Sequence, residues 1–188
     1  MAEDLIFRSK GQRSVDWHLT LCVDVSGSME ASTIYAAMTA AILAGVPALS
    51  VSFLAFSTEV IDMSEIVEDP LALLMEVSIG GGTDIAKCVR FARSELRVPS
   101  RSIVLVLSDF HEGGGSSSRL VSEVRSLIDS GAHVLGLAAL DDRGAPSYHA
   151  ATAQALVDAG MPVAALSPLE LAQWVGDKIR NKTKSDTR

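Results

Sequence analysis

Alternating apolar and helix-like segments predict an α/β fold for this chain. The run from Ser102 to Leu107 is rich in branched apolar residues, which is typical of a central parallel strand covered on both faces. Segments with helical periodicity alternate with this and other apolar runs, and the connections are short. We therefore expect a three-layer α/β/α sandwich whose central sheet is mostly parallel, with one antiparallel edge strand.

The first half of the chain is predicted to supply three strands and three helices. Pro70 follows Asp69 and favours a helix start, and Asp84 is expected to be a helix N-cap. Gly45 and Pro47 should close the first helix. The predicted strands cover 17–23, 50–56 and 60–63, the last being the edge strand, and the predicted helices cover 32–44, 70–76 and 84–96.

The second half continues the alternation and sets the expected domain limits. Its predicted strands cover 102–107, 133–140 and 163–166, and its predicted helices cover 119–128, 147–159 and 168–179. One domain is therefore expected over 17–180. Residues 1–16 are interpreted as a leader or as the cut end of a longer chain, and 181–188 as a disordered basic tail.

A charge-free run from Ala31 to Ser57 is long enough to raise the alternative of a membrane span. Pro47 divides this run, and serines and threonines are scattered along it. Its first part is rich in alanine, whereas its last part is strand-like. We therefore predict a buried helix followed by a buried strand, and no membrane association.

Charge and cysteine content restrict the functional class. The chain has 188 residues and a net charge of -7. The segment 178–188 is basic, so the rest is more acidic still, which disfavours a nucleic-acid-binding surface. Cys22 and Cys88 show neither metal-binding nor disulfide-framework spacing, and no signal peptide is visible. Buried free thiols and a cytoplasmic location are expected.

Three oxygen-bearing side chains follow the first predicted strand: Asp24, Ser26 and Ser28. Gly27 is expected to let the backbone bend tightly between the two serines. Hard oxygen donors at alternate positions suit Mg²⁺, Mn²⁺ or Ca²⁺. The alternative is an ordinary strand-to-helix turn in which Ser28 or a neighbour is the helix N-cap.

Two more candidate ligands lie in other loops. Thr83 follows three consecutive glycines, which would let the backbone approach closely and turn into the next helix. Asp109 lies at the end of the central strand. Because parallel strands end at one edge of a sheet, Asp24 and Asp109 are expected to face the same crevice. The five residues offer two carboxylates and three hydroxyls, so we predict a divalent-cation site.

These clusters resemble the metal-ion-dependent adhesion site (MIDAS) of von Willebrand factor type A (VWA) domains. The segments 21–30, 80–84 and 105–114 carry the resemblance, in the expected order. It implies a Rossmann-like fold and a bound cation. In such domains Ser26, Ser28 and Thr83 would contact the ion directly, and Asp24 and Asp109 directly or through water. A carboxylate from a partner protein would complete the coordination.

A finer resemblance is to bacterial VWA proteins of the CoxE-like kind. It is carried by Gly80–Ile85, Leu107–Gly114, Leu135–Leu140 and Ser167–Ala172. This implies a MoxR-type AAA+ ATPase, or its substrate, as partner, and a role as adaptor in complex remodelling or metal-centre assembly. Animal adhesion domains usually carry Asp-Gly where this chain has Asp109 and Phe110-His111-Glu112. His111 or Glu112 is therefore an alternative metal ligand or partner contact.

Catalysis is the disfavoured functional class. A hydrolase using Ser26 or Ser28, with Asp109 and His149, would be the enzyme alternative, but the Gly-x-Ser-x-Gly motif is absent. No phosphate-binding loop with Gly-Lys-Ser/Thr occurs either. We therefore expect a binding module and not an enzyme. The second binding alternative is a scaffold whose cation serves only stability.

Overall fold

The computed structural model describes residues 17–46, 49–77, 80–112, 117–139 and 145–185. Within them, the strands are β1 Trp17–Asp24, β2 Leu49–Phe56, β3 Val60–Asp62, β4 Ser102–Ser108, β5 His133–Ala138 and β6 Val163–Ala164. The helices are α1 Glu30–Ala44, α2 Pro70–Glu76, α3 Ile85–Ser94, α4 Ser117–Asp129, α5 Ala150–Asp158 and α6 Pro168–Ser185. Short 3₁₀ turns occupy Gly27–Met29, Ser64–Ile66 and Pro99–Arg101.

The strands form one sheet in the order β3-β2-β1-β4-β5-β6. All neighbouring pairs are parallel except β2 with β3, which is antiparallel at the edge. The predicted mostly parallel sheet with one antiparallel edge strand is therefore confirmed. β1 lies at the centre, with β2 on one side and β4 on the other. The chain order reverses between β1 and β4, which is where ligands bind in sheets of this type.

Helices cover both faces of the sheet, so the three-layer α/β/α sandwich is confirmed. Alternate residues of β1 point to opposite faces. Leu19 and Leu21 pack in the core beneath α1, α2 and α6, whereas Cys22 packs in the core beneath α3, α4 and α5. The β4 side chains are all buried, as expected for a central strand.

The charge-free run forms α1 and β2, as the sequence predicts. Among the described helices, none combines the length and the apolar character needed to cross a membrane. The other elements fall close to their predicted positions. Asp69 accepts hydrogen bonds from the backbone nitrogens of Leu71 and Ala72, which caps α2 ahead of Pro70.

The last helix departs from the prediction. α6 runs to Ser185, well beyond the expected end near Ile179, so the expectation of disorder is wrong for 181–185. After Gly176 the sequence contains no glycine or proline, and its lysines and arginines are good helix formers. An ion pair of 2.6 Å between Arg180 and Asp177 adds support one turn apart. The expectations for 1–16 and 186–188 lie outside the described residues.

Candidate functional site

The carboxyl ends of β1 and β4 lie side by side and carry the two candidate carboxylates. Asp24 is the last residue of β1, and Asp109 directly follows β4. Val23 is paired in register with Leu107, which brings the two strand ends level. The parallel order of the strands therefore places both aspartates at one edge of the sheet, as the sequence predicts.

Asp24 is fully buried and held by two hydrogen bonds. Its Oδ1 accepts from the backbone nitrogen of Ser26 at 2.9 Å, and its Oδ2 accepts from the Ser108 hydroxyl at 2.6 Å. Burial raises the pKa of the Asp24 carboxyl; the hydrogen bonds from Ser108 and Ser26 oppose this shift, and the nearby Asp109 charge adds to it. The carboxylate is thus oriented but only partly compensated.

Asp109 is linked to the serines of the β1 loop. The Ser28 hydroxyl donates to Asp109 Oδ2 at 2.6 Å, and the hydroxyl oxygens of Ser26 and Ser28 lie 3.5 Å apart. The backbone nitrogen of His111 donates to Asp109 Oδ1 at 3.0 Å. Four of the five predicted residues therefore belong to one cluster at the sheet edge.

Thr83, the fifth residue, is nearly buried in a loop tied to the same edge. The Gly80 nitrogen donates to the Val25 carbonyl at 2.9 Å, and the Asp84 nitrogen donates to the Ser57 carbonyl at 2.9 Å. Gly81 has a φ of 84°, which is costly for residues other than glycine. The glycines therefore shape this loop as predicted, and the two backbone bonds hold Thr83 beside the ends of β1 and β2.

Gly27 does not have the role that the sequence predicts. It begins the 3₁₀ turn Gly27–Met29 without a positive φ, and a Cβ added there would meet no atom within 4 Å. The backbone does bend tightly here, but the bend does not depend on a glycine. The helix-capping alternative for Ser28 is not seen either, because Met29 is the N-cap of α1 and makes no side-chain cap bond.

Asp84 and Glu112 both serve the first turn of α3. Asp84 Oδ1 accepts from the Lys87 nitrogen at 2.8 Å, so the predicted N-cap is confirmed, and Arg119 contacts both Asp84 oxygens at 3.0 Å. Glu112 Oε2 accepts from the Ile85 nitrogen at 3.1 Å. Burial raises the pKa of the Glu112 carboxyl, although hydrogen bonds from the Ile85 and Ala86 backbone nitrogens oppose the shift. Glu112 therefore already has a role at the helix terminus.

Phe110 explains the departure from the Asp-Gly pattern. Its backbone is left-handed, with a φ of 57°, which a glycine adopts without cost and a bulky residue does not. The side chain is fully buried in the core beneath α3, α4 and α5. A Cβ added to Gly136 would lie only 3.0 Å from the Phe110 Cζ, so the ring packs closely against this glycine. Burial of the ring thus offsets the backbone strain beside Asp109.

Two features of the site were missed by sequence reasoning. Ser108 bonds Asp24 and also accepts from the Phe110 nitrogen at 2.9 Å, so it positions both loops. The rings of His111 and His149 lie 5.0 Å apart, and the backbone nitrogen of His149 donates to the backbone carbonyl of Asp109 at 2.7 Å. The only sequence signal for Ser108 is its place at the strand end; no signal predicts the histidine pair.

The donor chemistry of this cluster fits a hard divalent cation. Among the described residues, neither Asp24 nor Asp109 forms an ion pair, although both are buried. No group of three His, Cys, Asp or Glu side chains able to hold a metal occurs in the described part of the chain. Any ion held here would therefore depend on serine and threonine hydroxyls as well as carboxylates.

A separate cavity of about 520 Å³ lies at the opposite end of the strands. It is lined by residues that begin β1, β2 and β4, with His18 bonded to the hydroxyls of Ser50 at 2.6 Å and Ser52 at 3.2 Å. Burial, and to a lesser extent the charge of Arg97, lowers the pKa of His18. None of the five candidate ligands lines this cavity.

Comparison with known proteins identifies the family. Residues 1–175 match the family described as "VWA domain containing CoxE-like protein". The chain belongs to this family. Membership indicates a protein-interaction module. Among curated proteins, the chain is 45% identical over 176 residues to the uncharacterized protein YehP of Escherichia coli K12. It covers 46% of that relative's length, so it spans about half of it.

Solved structures share the fold at low sequence identity. An aerotolerance-related membrane protein from Bacteroides fragilis superposes with a TM-score of 0.63 at 15% identity, covering 88% of this chain and 99% of that one. The manganese-loaded TRAP protein of Plasmodium vivax superposes with a TM-score of 0.62 at 13% identity, covering 88% of this chain and 74% of that one. These similarities confirm the VWA-type fold.

Proposed function

We propose that this VWA domain binds a divalent cation and uses it to engage an acidic residue of a partner protein. The cation is Mg²⁺, with Mn²⁺ or Ca²⁺ as the other candidates. The residues that would hold it are Asp24, Ser26, Ser28, Thr83 and Asp109. Such an ion would supply an electrophilic position open to an outside carboxylate.

The observation that carries this proposal is the buried aspartate pair. Asp24 is inaccessible to solvent and Asp109 is 7% exposed, and the charge of Asp109 disfavours ionisation of Asp24. Buried carboxylates without a basic partner are costly unless a cation compensates them. The Ser26 and Ser28 hydroxyls belong to the same cluster as the two aspartates. Hydroxyl oxygens are ordinary ligands of hard cations.

The ligand set also favours recognition over tight structural binding. Three neutral hydroxyls and two carboxylates leave a divalent ion less neutralised than four carboxylates would. The manganese-loaded state of the Plasmodium protein of the same fold supports the choice of a divalent ion. The family match supports the choice of a protein partner, which we take to be a MoxR-type AAA+ ATPase or its substrate in the cytoplasm.

The serine geometry gives little support to catalysis. The Ser28 hydroxyl donates to Asp109, and within the described residues neither Ser26 nor Ser28 is hydrogen-bonded to a histidine. His149 instead accepts from the Thr152 nitrogen at the start of α5. Among the described residues, therefore, no histidine is placed to activate either serine.

Metal binding is tested by titrating Mg²⁺, Mn²⁺ and Ca²⁺ into metal-free protein by calorimetry, together with melting curves. The double variant Ser26→Ala/Ser28→Ala should keep its fold and lose at least about tenfold in affinity, since two direct ligands are removed. Ser122→Ala/Ser126→Ala on α4 is the matched control and should bind like the parent. Equal binding by both double variants would rule out this site.

The partner role needs a second experiment with a purified MoxR-type ATPase encoded by the same genome. Capture should require the cation and be lost in EDTA and in Ser26→Ala/Ser28→Ala. Unchanged capture at saturating EDTA would contradict the metal bridge. A large metal-induced rise in melting temperature, with partner binding insensitive to metal, would favour the scaffold alternative.

A further inference from the structure

Helices α1 and α2 expose an unusual apolar surface. On α1, Ile34, Met38 and Ile42 recur at every fourth residue and so form one line along the outer face. On α2, which packs against α1, Leu71 and Met75 are exposed with the same spacing. The exposed fractions of these five side chains lie between 52% and 79%. We call these five residues the α1–α2 surface.

The surface differs from the outer faces of α3 and α4. A helix on a globular domain normally turns charged and polar residues to solvent. α1 carries no charged residue after Glu30, whereas α3 and α4 face solvent with Arg90, Arg93 and Glu123, which form ion pairs. Grouped exposed apolar side chains of this kind mark interaction sites, whereas isolated ones are ordinary.

In the segment that builds this surface, every Asp, Glu, Lys or Arg position is acidic. From Trp17 to Ala86 there is no Lys or Arg. The same segment holds nine acidic residues: Asp24, Glu30, Glu59, Asp62, Glu65, Glu68, Asp69, Glu76 and Asp84. Four of them, just before α2 or at its end, are exposed: Glu65, Glu68, Asp69 and Glu76.

Two basic side chains of α6, the remaining helix of this layer, make contacts within their own helix. On α6, the Arg180 guanidinium is paired with Asp177 at 2.6 Å. The Lys178 ammonium lies 5.2 Å from the centre of the Trp174 ring. Arg180 and Lys178 are therefore engaged within their own helix and are not directed at the acidic border of α2.

We propose that the α1–α2 surface is the docking site for a basic amphipathic helix of a partner protein. The line from Ile34 to Ile42 is about 12 Å long, which matches two turns of a partner helix. Apolar side chains on one face of that helix would cover the five residues, as in helix-in-groove recognition. Its flanking Lys and Arg side chains would meet Glu68, Glu76 and their neighbours.

Charge selects this occupant over the other candidates. An anionic membrane or a nucleic acid would be repelled by the acidic border. A second copy of the chain would place one acidic border against another. A basic helix has both the apolar face and the charge that the surface needs.

The surface adjoins the candidate metal site but does not depend on it. α1 begins just after Ser28, and the chain after α2 returns to Gly80, whose nitrogen bonds the Val25 carbonyl. One partner can therefore reach both regions. Docking of the helix itself requires no cation, so it is measurable in EDTA.

The test uses two labelled synthetic helices of about 18 residues, or five turns, with the same leucine pattern and with either lysine or glutamate at the polar positions. Fluorescence anisotropy in EDTA should show that the lysine peptide binds at least about tenfold more tightly than the glutamate peptide, with an affinity that falls as salt rises. Met38→Lys should weaken lysine-peptide binding at least about tenfold, and Glu68→Lys/Glu76→Lys should weaken it and flatten its salt dependence.

Matched controls lie on the opposite helical layer. Val157→Lys on α5 replaces an exposed apolar residue by lysine, and Asp129→Lys at the end of α4 replaces an exposed acid by lysine; each should change the affinity less than about twofold. Met38→Gln removes the apolar contact without adding charge and should also weaken binding. Melting curves monitored by circular dichroism check that each variant is folded.

Three results would overturn the proposal. Equal weakening by the control and surface variants would show only general attraction to an acidic protein. Binding to phosphatidylcholine vesicles that depends on Met38 would make the surface a membrane site. Self-association in sedimentation equilibrium that Met38→Lys abolishes would make it a contact between copies. Because every measurement is made in EDTA, failure of the metal proposal leaves these outcomes unchanged.

Discussion

The loops that follow β1 and β4 meet at one site but are held in different ways. The β1 loop is shaped locally: Asp24 accepts from the Ser26 nitrogen, and Gly27 begins an ordinary 3₁₀ turn. The β4 loop depends on the core, because Phe110 keeps a left-handed backbone while its ring is fully buried. Changes in the core should therefore reach the candidate site through the β4 loop and not through the β1 loop.

The largest expected effect comes from removing the Phe110 ring. Phe110→Ala should lower the free energy of unfolding by about 3–5 kcal/mol, because a fully buried aromatic is lost and the left-handed backbone loses its compensation. Urea unfolding measures this change. Phe91→Ala, at a partly exposed position on α3, should cost far less, and Gly27→Ala should be nearly neutral. A loss of similar size in Gly27→Ala would remove the distinction between the loops.

Crowding the same ring from the other side should have the next largest effect. A Cβ on Gly136 would lie 3.0 Å from Phe110 Cζ, 3.1 Å from Met161 Cε and 3.1 Å from Val163 Cγ2. Gly136→Ala should therefore cost about 1–3 kcal/mol of stability, because packed side chains must shift. It should also weaken Mg²⁺ binding through the β4 loop, as calorimetry would show. Unchanged stability would mean that the core here is loose and does not control the loop.

Ser108→Ala should cost about 1–2 kcal/mol, since Asp24 Oδ2 and the Phe110 nitrogen would lose their partner. Cation affinity should fall with it. Ser102→Ala is a matched control at the other end of β4, where the hydroxyl donates to the Val98 carbonyl at 2.9 Å. That variant should lose stability but keep its cation affinity. Equal affinities in the two variants would show that Ser108 does not position Asp24.

The smallest effect concerns the pH dependence that Glu112 gives to the β4 loop. Because burial raises the pKa of Glu112, the folded state binds more protons than the unfolded state above pH 4.5. This contribution to stability is present below pH 4.5 and is lost as pH rises through the raised value. The free energy of unfolding of Glu112→Gln should therefore fall less steeply with rising pH than that of the parent, as measured by urea unfolding. Glu95→Gln is the exposed control, and an identical slope in all three proteins would contradict the assignment.

Sequence reasoning predicted the parts of the site that follow from strand order. Asp24 and Asp109 end parallel strands, and that fact alone places them at one edge of the sheet. Phe110 could not be predicted, because its left-handed backbone depends on a cavity that only the folded core provides. Glu112 likewise appeared as a free loop acid, whereas it caps a helix from a distant part of the sequence.

The ends of the helices likewise divide into those that local sequence signals predict and those that they do not. Asp84 was predicted as a cap and Asp69-Pro70 as a helix start because both signals are local, and both aspartates accept backbone hydrogen bonds at the start of their helices. The end of α6 was misplaced, because a basic, polar segment favours helix and disorder almost equally from sequence alone. The His111 and His149 rings lie close together because of a long-range contact, in which the His149 backbone nitrogen donates to the Asp109 carbonyl.

The two buried thiols make the native chain convenient for labelling. Cys22 and Cys88 are the only cysteines in the sequence, and both are buried and unpaired. Burial raises the pKa of the Cys88 thiol, which suppresses the reactive thiolate. A Met38→Cys variant would therefore offer one maleimide-reactive position in the folded protein, without prior cysteine removal. A fluorophore attached there would report occupancy of the α1–α2 surface, while slow modification of the native thiols would time the opening of the core between β1 and α3.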